Sequence, residues 1–484
     1  MKIYAPNVHL FAFQLYKGSN IDQNLHDNLN FLWESGDAVV KETLKQDLQL
    51  SQRLDVHQQP ESRRVDLLKD TEVIDDNYAV SFAGLVSYPQ NQNILIKGFA
   101  HPLRISDSYS LWLNLRRPEQ ENNQPTEDVE IDFFKVFNPK NCLNFKAKQH
   151  PLFLGQTLLI TGWLIKPKDN NIVRQVTDWL TVARDRKRIR EIADECLNQF
   201  YVSQNAPDFY RQGKLFGSVI FEYGLINNLE NYQHVLIWLF EDVETDHKFG
   251  EVCQELEDLF FYRTKIVKAY QDSREIYKQL DIFYRQIETE IDEIPEKQPN
   301  QPATQKYLQE LQKKLKSFPQ LAFKYARLLR DLEEHANTIA IHIVNYNQIL
   351  KNIQAILTNE DLSFLAYFTE NQAANFERQI EADLRYFNNG SQLLDQAINS
   401  IRGIVEIEQT ERDRSLERTI GRLGIGFGGG AIISGVITQH IDKINHPVTF
   451  SFNKPPHPFY ASLFLSIIAT LFFIGLGFLI TKRK

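Results

Sequence analysis

The sequence predicts an α+β or α/β cytosolic domain, then long antiparallel coiled-coil-like helices, then a C-terminal hairpin of two transmembrane helices. Strand-length apolar runs dominate the first half of the 484 residues, and heptad-like repeats follow from about Lys248. Near the end, 21 consecutive residues carry no charge. The predicted regions are 1–247 (cytosolic domain), 248–418 (stalk), 419–439 and 460–480 (transmembrane helices), 440–459 (outer loop) and 481–484 (basic cytosolic tail).

Composition excludes several classes of protein. The formal net charge of −8 argues against a nucleic-acid partner, because phosphate binding needs clustered Lys and Arg. The three cysteines, Cys142, Cys196 and Cys253, form no CxxC pair, which favours a reducing cytosol over a disulfide framework or a zinc site. The first residues do not resemble a secretory signal. No familiar catalytic motif occurs, so we predict that the protein is not an enzyme and expect no particular cofactor.

The first half reads as strands with few helices. A strand candidate at 8–16 precedes a helical stretch at about 24–50. Polar residues without apolar periodicity at 52–64 and 116–128 predict loops. The remaining strand candidates are 78–88, 93–99, 110–114, 131–136, 156–164 and 235–240.

Three long helices are predicted in the second half. The first ends before Pro295, and the second carries a strict heptad from Leu321 to Ile356. The third is apolar at helical spacing from Phe376 and meets no proline before Pro447. A continuous helix would carry a rotation or tilt to the membrane, whereas a passive stalk fits the same pattern.

The charges around the apolar segments predict a multi-pass plasma-membrane protein in the lipid bilayer, with both termini cytoplasmic. Segment 420–438 holds Arg422 and seven glycines, whereas segment 460–480 is uniformly apolar. Four prolines between them suit an outer loop. The flanking basic residues are Arg412, Arg414, Arg418, Arg422, Lys482, Arg483 and Lys484.

Small residues repeat at spacings of 3, 4, 3 and 4 in the first segment. They are Gly421, Gly424, Gly428, Ala431 and Gly435. Such a stripe lets helices approach closely, which favours a homo-oligomer with this helix at its axis or pore. Packing against the second transmembrane helix of the same chain is the alternative.

A basic helical face provides the candidate site for a small anion. Arg184, Lys187 and Arg188 share one face of a predicted helix and suit a nucleotide phosphate or a lipid headgroup. A solvated helix face is the simpler explanation.

An acidic segment provides the candidate site for a divalent cation. Glu241, Asp242, Glu244 and Asp246 follow an apolar strand, although acidic loops are usually plain turns. His335 and His342 lie one heptad apart, where imidazoles sense pH or bind a metal, or more commonly stay neutral in the seam.

The order of parts resembles that of the CorA-type metal-ion transporters, down to the basic tail Lys482-Arg483-Lys484. The family's Gly-Met-Asn signature is absent, since Ile437-Thr438-Gln439-His440 stands there. The resemblance implies a pentameric funnel whose first transmembrane helix lines the pore. It also extends to CorA-like membrane effectors of prokaryotic defence, which carry a ligand-sensing domain.

The function expected from these features is that of a homo-oligomeric, CorA-like ion channel, transporter or ligand-gated membrane effector with a cytosolic sensing domain. A membrane-anchored scaffold without transport activity is the first alternative. A membrane-tethered enzyme is the second.

Overall fold

The computed structural model describes residues 2–16, 29–56, 63–74, 78–88, 92–145, 150–164, 186–202, 206–226, 232–294 and 304–438, with six single positions between 464 and 475. The chain divides into two compact units. Unit 1 comprises Met1–Gln279 and Leu328–Tyr386, and unit 2 comprises Leu280–Arg327 and Phe387–Lys484.

Unit 1 is built on strands. Those described are β1 (Lys2–Leu15), β2 (Arg64–Asp66), β3 (Val80–Tyr88), β4 (Gln92–Ile105), β5 (Ser108–Arg116), β6 (Gln120–Glu121), β7 (Gln124–Pro125), β8 (Val129–Glu130), β9 (Phe153–Trp163), β10 (Phe209–Leu215), β11 (Ser218–Tyr223) and β12 (His234–Phe240).

Ten of these strands form one sheet, with β6 and β7 as a separate two-stranded pair. The order is β10-β11-β12-β9-β1-β5-β4-β2, while β3 also pairs with β4 and β8 with β1. Only the β9–β12 pair is parallel among the described pairs. The central strand β1 lies antiparallel to both β5 and β9 and is buried on both faces, and this double burial explains its nearly continuous apolar sequence.

The three longest described helices lie in the second half of the chain. Those described are α1 (Phe31–Leu44), α2 (Leu50–Arg53), α3 (Phe134–Phe137), α4 (Arg186–Phe200), α5 (Val243–Glu251), α6 (Cys253–Asp292), α7 (Gln305–Ile356), α8 (Ser363–Tyr367) and α9 (Ala374–Thr438). A π-helical turn, Phe368–Ala373, joins α8 to α9. The α+β N-terminal domain and the long helices that the sequence predicts are therefore present.

Both faces of the sheet are covered. On β1, Val8 and Leu10 belong to the main apolar core, which also contains residues of α1 and α4. The alternate side chains point to the other face. There Phe11 lies 5.1 Å from Phe260 of α6, and His9 lies 5.3 Å from Phe249 of α5, measured between ring centroids. This second face carries the polar groups described below.

In unit 2, parts of α6, α7 and α9 pack through buried residues of their apolar faces. Tyr325 donates a hydrogen bond of 2.7 Å from its hydroxyl to the carbonyl oxygen of Phe387. Gly390, one turn farther along α9, sits against Tyr284 and Tyr325, where a Cβ would come within 2.7 Å of each side chain.

We expect Gly390→Ala to lower the free energy of unfolding by about 1–2 kcal/mol, because overpacking outweighs the gain in helix propensity. Gly403→Ala in the same helix is the matched control, since a Cβ there meets nothing within 4 Å. That control should stabilise by up to about 1 kcal/mol. Urea denaturation measures both, and equal effects would contradict the close approach.

One strand prediction is wrong, and β10 and β11 are the longest of the described strands that were not predicted. Residues 131–136 were predicted as a strand but form a 3-10 turn, Ile131–Phe133, that runs into α3. The buried residues Ile131, Phe134 and Phe137 recur every three positions, which suits a helical turn, and a short apolar run does not distinguish the two structures. Strands β10 and β11 were not predicted, because polar residues such as Arg211 and Glu222 interrupt their alternation.

The predicted transmembrane hairpin is the main correction. Residues 419–438 continue α9, and among the described residues no helix has both the length and the apolarity that crossing a bilayer requires. Seven glycines and Arg422 dilute the hydropathy of this segment. The second segment, 460–480, lies outside the described residues apart from the six single positions. The finding overturns the predicted plasma-membrane location and ion transport, and it gives the membrane-anchored alternative no support.

Candidate functional site

A cleft with a volume of about 720 Å³ lies over β3, β4 and β5, on the sheet face that packs against α5 and α6. Lys97, Phe99 and His101 alternate along β4 and therefore point to the same side of the sheet. The charged and aromatic residues that line the cleft include Asp66, Lys97, Phe99, His101, Trp112 and Arg116.

Two cations face each other at one end of the cleft. The antiparallel register of β4 and β5 places Lys97 directly opposite Arg116, and both side chains are exposed. Neither forms an ion pair within the part of the chain that the structure describes. Burial raises the pKa of Asp246 on α5, and the nearby charge of Arg116 lowers that pKa in part. The two side chains form no ion pair in the described structure.

This arrangement has a cost in the free protein. Like charges directly opposite in an antiparallel pair are unfavourable, by roughly 0.2–1 kcal/mol. The charged groups that line the cleft are two cations and the single carboxylate of Asp66, which is engaged by His101. The cation end of the cleft is therefore suited to an anion, whose charge would offset the repulsion.

Aromatic side chains form the floor. The rings of Phe99 and Trp112 meet edge to face, with 5.1 Å between centroids. Beneath them, Trp112 donates a hydrogen bond of 3.1 Å from Nε1 to Nδ1 of His9, which also lies 3.2 Å from Nδ2 of Asn114. Burial lowers the pKa of His9 to about 3, and Arg116 acts in the same direction. The imidazole is therefore neutral and holds the indole ring in place.

The opposite end of the cleft carries a carboxylate. Oδ1 of Asp66 lies 2.7 Å from Nε2 of His101. The Asp66 side chain is 39% exposed, which leaves it open to a further donor from a ligand.

Strand β2 is fixed by ion pairs that hold Asp66 at the cleft. Arg64, two residues before Asp66, pairs with the buried carboxylate of Glu257 and, at 3.0 Å, with Asp258 of α6. Ser110 of β5 donates a hydrogen bond of 2.7 Å to Glu257. This edge strand is thus tied both to the sheet and to α6.

A second charged cluster is buried on the same face of the sheet. Glu222 of β11 accepts hydrogen bonds from Arg211 of β10 at 2.6 Å and from Arg263 of α6 at 2.7 Å. Its side chain is 2% exposed and that of Arg263 is 6% exposed. Burial alone would raise the pKa of Glu222, but Arg263, His234 and Arg211 lower it well below its usual range.

The two arginines of this cluster also bind the segment that begins at α8. Arg211 donates a hydrogen bond of 2.7 Å to the carbonyl oxygen of Phe364, and the guanidinium of Arg263 lies 4.2 Å from the ring centroid of Phe368. His234 contacts Glu222 at 3.4 Å, but burial and Arg263 lower its pKa to about 4. We assign this cluster a structural role, because its charged atoms face protein rather than a cleft.

The sequence-predicted anion site stays a prediction. Arg184 lies outside the described residues, and Lys187 lies in α4 with its side-chain surroundings likewise undescribed. Arg188 is exposed on α4. Arg188, the member of this set whose side chain is described, does not line the cleft.

The acidic segment has local roles where it is described. Asp242 caps α5 by accepting a hydrogen bond of 2.7 Å from the amide of Thr245, and Glu244 pairs with Lys248 at 2.6 Å. The amide of Glu241 donates to Ser218, and burial raises the pKa of Asp246. Within the described residues, no group of three or more His, Cys, Asp or Glu side chains is placed to hold a metal ion.

The small-residue stripe lies on α9, but the packing of its members is not described. Gly421, Gly424, Gly428, Ala431 and Gly435 all fall within Ala374–Thr438. Whether this stripe packs another helix stays a prediction.

Sequence reasoning missed the cleft. Lys97, Phe99 and His101 show the two-residue alternation of one strand face, which was visible in the sequence as a strand candidate at 93–99. Their partners Arg116 and Asp66 lie 19 and 35 residues away from Lys97 and His101, respectively, and only the strand register brings them together.

Comparisons with known proteins leave the family open. No protein-family model matches the chain. No curated protein matches it either. One similar solved structure, described as that of the full-length CmaX protein, is 14% identical and aligns over 68% of this chain and 88% of that chain, with a TM-score of 0.22. This similarity supports no conclusion on fold or function, and none of the comparisons tests the resemblance to CorA-type transporters.

Proposed function

We propose that unit 1 is a ligand-binding domain that recognises a small phosphate-bearing anion in the cleft over β3, β4 and β5. The observation that carries the proposal is the pair of exposed cations, Lys97 and Arg116, placed directly opposite each other on the cleft wall. An unpaired like-charge pair is unfavourable in the free protein, and a bound anion converts it into a favourable contact.

The surrounding groups support an anion rather than a cation. Asp66 is the acidic side chain among those that line the cleft, and it contacts His101. His101 lies four positions along β4 from Lys97, which corresponds to roughly 13 Å. Phosphate suits Lys and Arg together, since it accepts several charge-assisted hydrogen bonds at once.

The test is calorimetric titration of the full chain with inorganic pyrophosphate. The double variant Lys97→Gln/Arg116→Gln should bind at least about a hundredfold more weakly, because it removes two cations and each hydrogen bond to a charged group contributes about 1.5–3 kcal/mol. Lys214→Gln is the matched control, since Lys214 is an exposed strand lysine of β10 outside the cleft. That control should bind like the wild type.

Unfolding without ligand gives an independent check. Removing the like-charge pair should leave the double variant as stable as the wild type, or more stable by a few tenths of a kcal/mol. The proposal fails if the wild-type chain does not bind pyrophosphate, or if the double variant binds it equally well.

A further inference from the structure

The cleft presents three kinds of group in a fixed order along β4. Residues of one strand face recur every two positions, at intervals of roughly 7 Å. Lys97 therefore marks a cationic end, Phe99 an aromatic middle and His101 a polar end. A ligand that contacts all three must be elongated, with its anionic group at one end only.

The middle and the polar end restrict the ligand further. Phe99 is partly exposed and meets Trp112 edge to face, so the floor offers aromatic surface to a planar ring. At the polar end, the carboxylate of Asp66 is 39% exposed and accepts hydrogen bonds. Its negative charge repels a second anionic group and favours an uncharged donor such as an amino group.

We propose that the ligand is a mononucleotide, with its phosphates between Lys97 and Arg116, its base over Phe99 and Trp112, and an amino group of the base donating to Asp66. This inference rests on the proposed function and specifies its ligand. The cleft volume of about 720 Å³ lies within the range of small-molecule sites, about 300–1,000 Å³. The net charge of −8 disfavours a polymeric nucleic acid.

The experiment compares pyrophosphate, ADP, GDP and a single-stranded RNA decamer in calorimetric titrations of the full chain. At least one of the two nucleotides should bind tenfold or more tightly than pyrophosphate, because base stacking on an aromatic side chain adds to the phosphate contacts. Phe99→Leu should remove that advantage while leaving pyrophosphate affinity within about twofold, since stacking serves only the base. Unchanged pyrophosphate binding also shows that this variant is folded.

The outcomes separate the two proposals. If pyrophosphate binds and neither nucleotide binds more tightly, the mononucleotide inference is overturned while the anion site stands. Tighter binding of the RNA than of both nucleotides also overturns it, because the ligand would be a polymer. If no phosphate compound binds, both proposals fall. Equal loss of ADP, GDP and pyrophosphate binding in Phe99→Leu would show that the ring shapes the cation end and does not hold a base.

Discussion

Glu222→Gln is expected to lower the free energy of unfolding by about 3–5 kcal/mol, the usual cost of removing one partner of a buried ion pair. The substitution keeps the size of the side chain but leaves Arg263, with 6% of its side chain exposed, and Arg211, with 18%, without their shared counter-ion. Among the described residues, the ion pairs of both arginines are with Glu222. Tyr232 beside Arg263 does not replace this charge, because it is a phenol whose pKa burial raises.

A surface pair provides the control. Arg285 and Asp281 lie one helical turn apart on α6 with an N–O distance of 3.0 Å, and the Arg285 side chain is 75% exposed. Arg285→Gln should change stability by no more than about 0.5 kcal/mol. Urea denaturation followed by circular dichroism measures both variants.

A double-mutant comparison shows whether the loss of unfolding free energy results from breaking the buried ion pairs. Replacing Glu222 and Arg263 together, by Leu and Met, should cost less than the sum of the two single replacements, because each partner is destabilising only when left alone. Strict additivity would contradict the interpretation that the cluster is held by its ion pairs.

Stability should also fall on acidification between pH 6.5 and pH 4. Burial lowers the pKa of His9 to about 3, and that of His234 and His342 to about 4, all below the ordinary value of 6.5. In this window the unfolded chain binds protons at these positions and the folded chain does not. The free energy of unfolding therefore decreases as the pH falls, and is fully retained above pH 6.5.

The expected loss is about 1.5 kcal/mol between pH 6.5 and pH 5 for each fully buried histidine. The carboxyl groups of Asp37, Asp246 and Asp258 act in the opposite direction, because burial raises their pKa and protonation relieves an unfavourable charge. The carboxyl of Glu222, whose pKa is lowered, instead adds to the loss. Their effect falls mainly at lower pH, closer to the ordinary carboxyl value. The histidines should therefore dominate the upper part of the window.

Substitution of single histidines makes the effect specific. His234→Gln should reduce the number of protons taken up on unfolding by about one in this window, and the slope of the unfolding free energy against pH should decrease accordingly. His247→Gln on α5 is the control, because its ring is 73% exposed and faces solvent. If both substitutions leave the slope unchanged, the buried histidines do not account for acid sensitivity.

Much of the sheet was predictable from alternation and apolar content. The strand candidates at 78–88, 93–99 and 156–164 correspond to β3, β4 and β9, and 235–240 corresponds to β12. These strands are buried on one or both faces, so their sequences carry a clear pattern. Strands β10 and β11 do not, because Arg211 and Glu222 place charges on a buried face.

The apolar pattern of the long helices predicted burial in α7 but misled the interpretation of α9. In α7 the predicted heptad face is mostly buried, from Leu321 and Tyr325 to Ile353. The glycine-rich segment of α9 was predicted as a membrane helix because it holds few charges, although glycine contributes little hydropathy. Helical spacing predicts which face is buried but does not identify what covers it.

The candidate site was not predictable because it depends on pairings between distant strands. Lys97 becomes significant only when the register places it opposite Arg116, and Asp66 only when β2 pairs with β4. No local motif encodes either pairing. The anion site was instead predicted in the basic cluster at 184–190, because its charges are adjacent in the sequence.

Anomalous diffraction from crystals of the full chain soaked with tungstate, a phosphate analogue with a strong scatterer, tests the anion site most directly. We expect an anomalous peak between Nζ of Lys97 and the guanidinium of Arg116, which disappears in the Lys97→Gln/Arg116→Gln variant. A map with no peak in the cleft, or one whose peak persists in the variant, would contradict it.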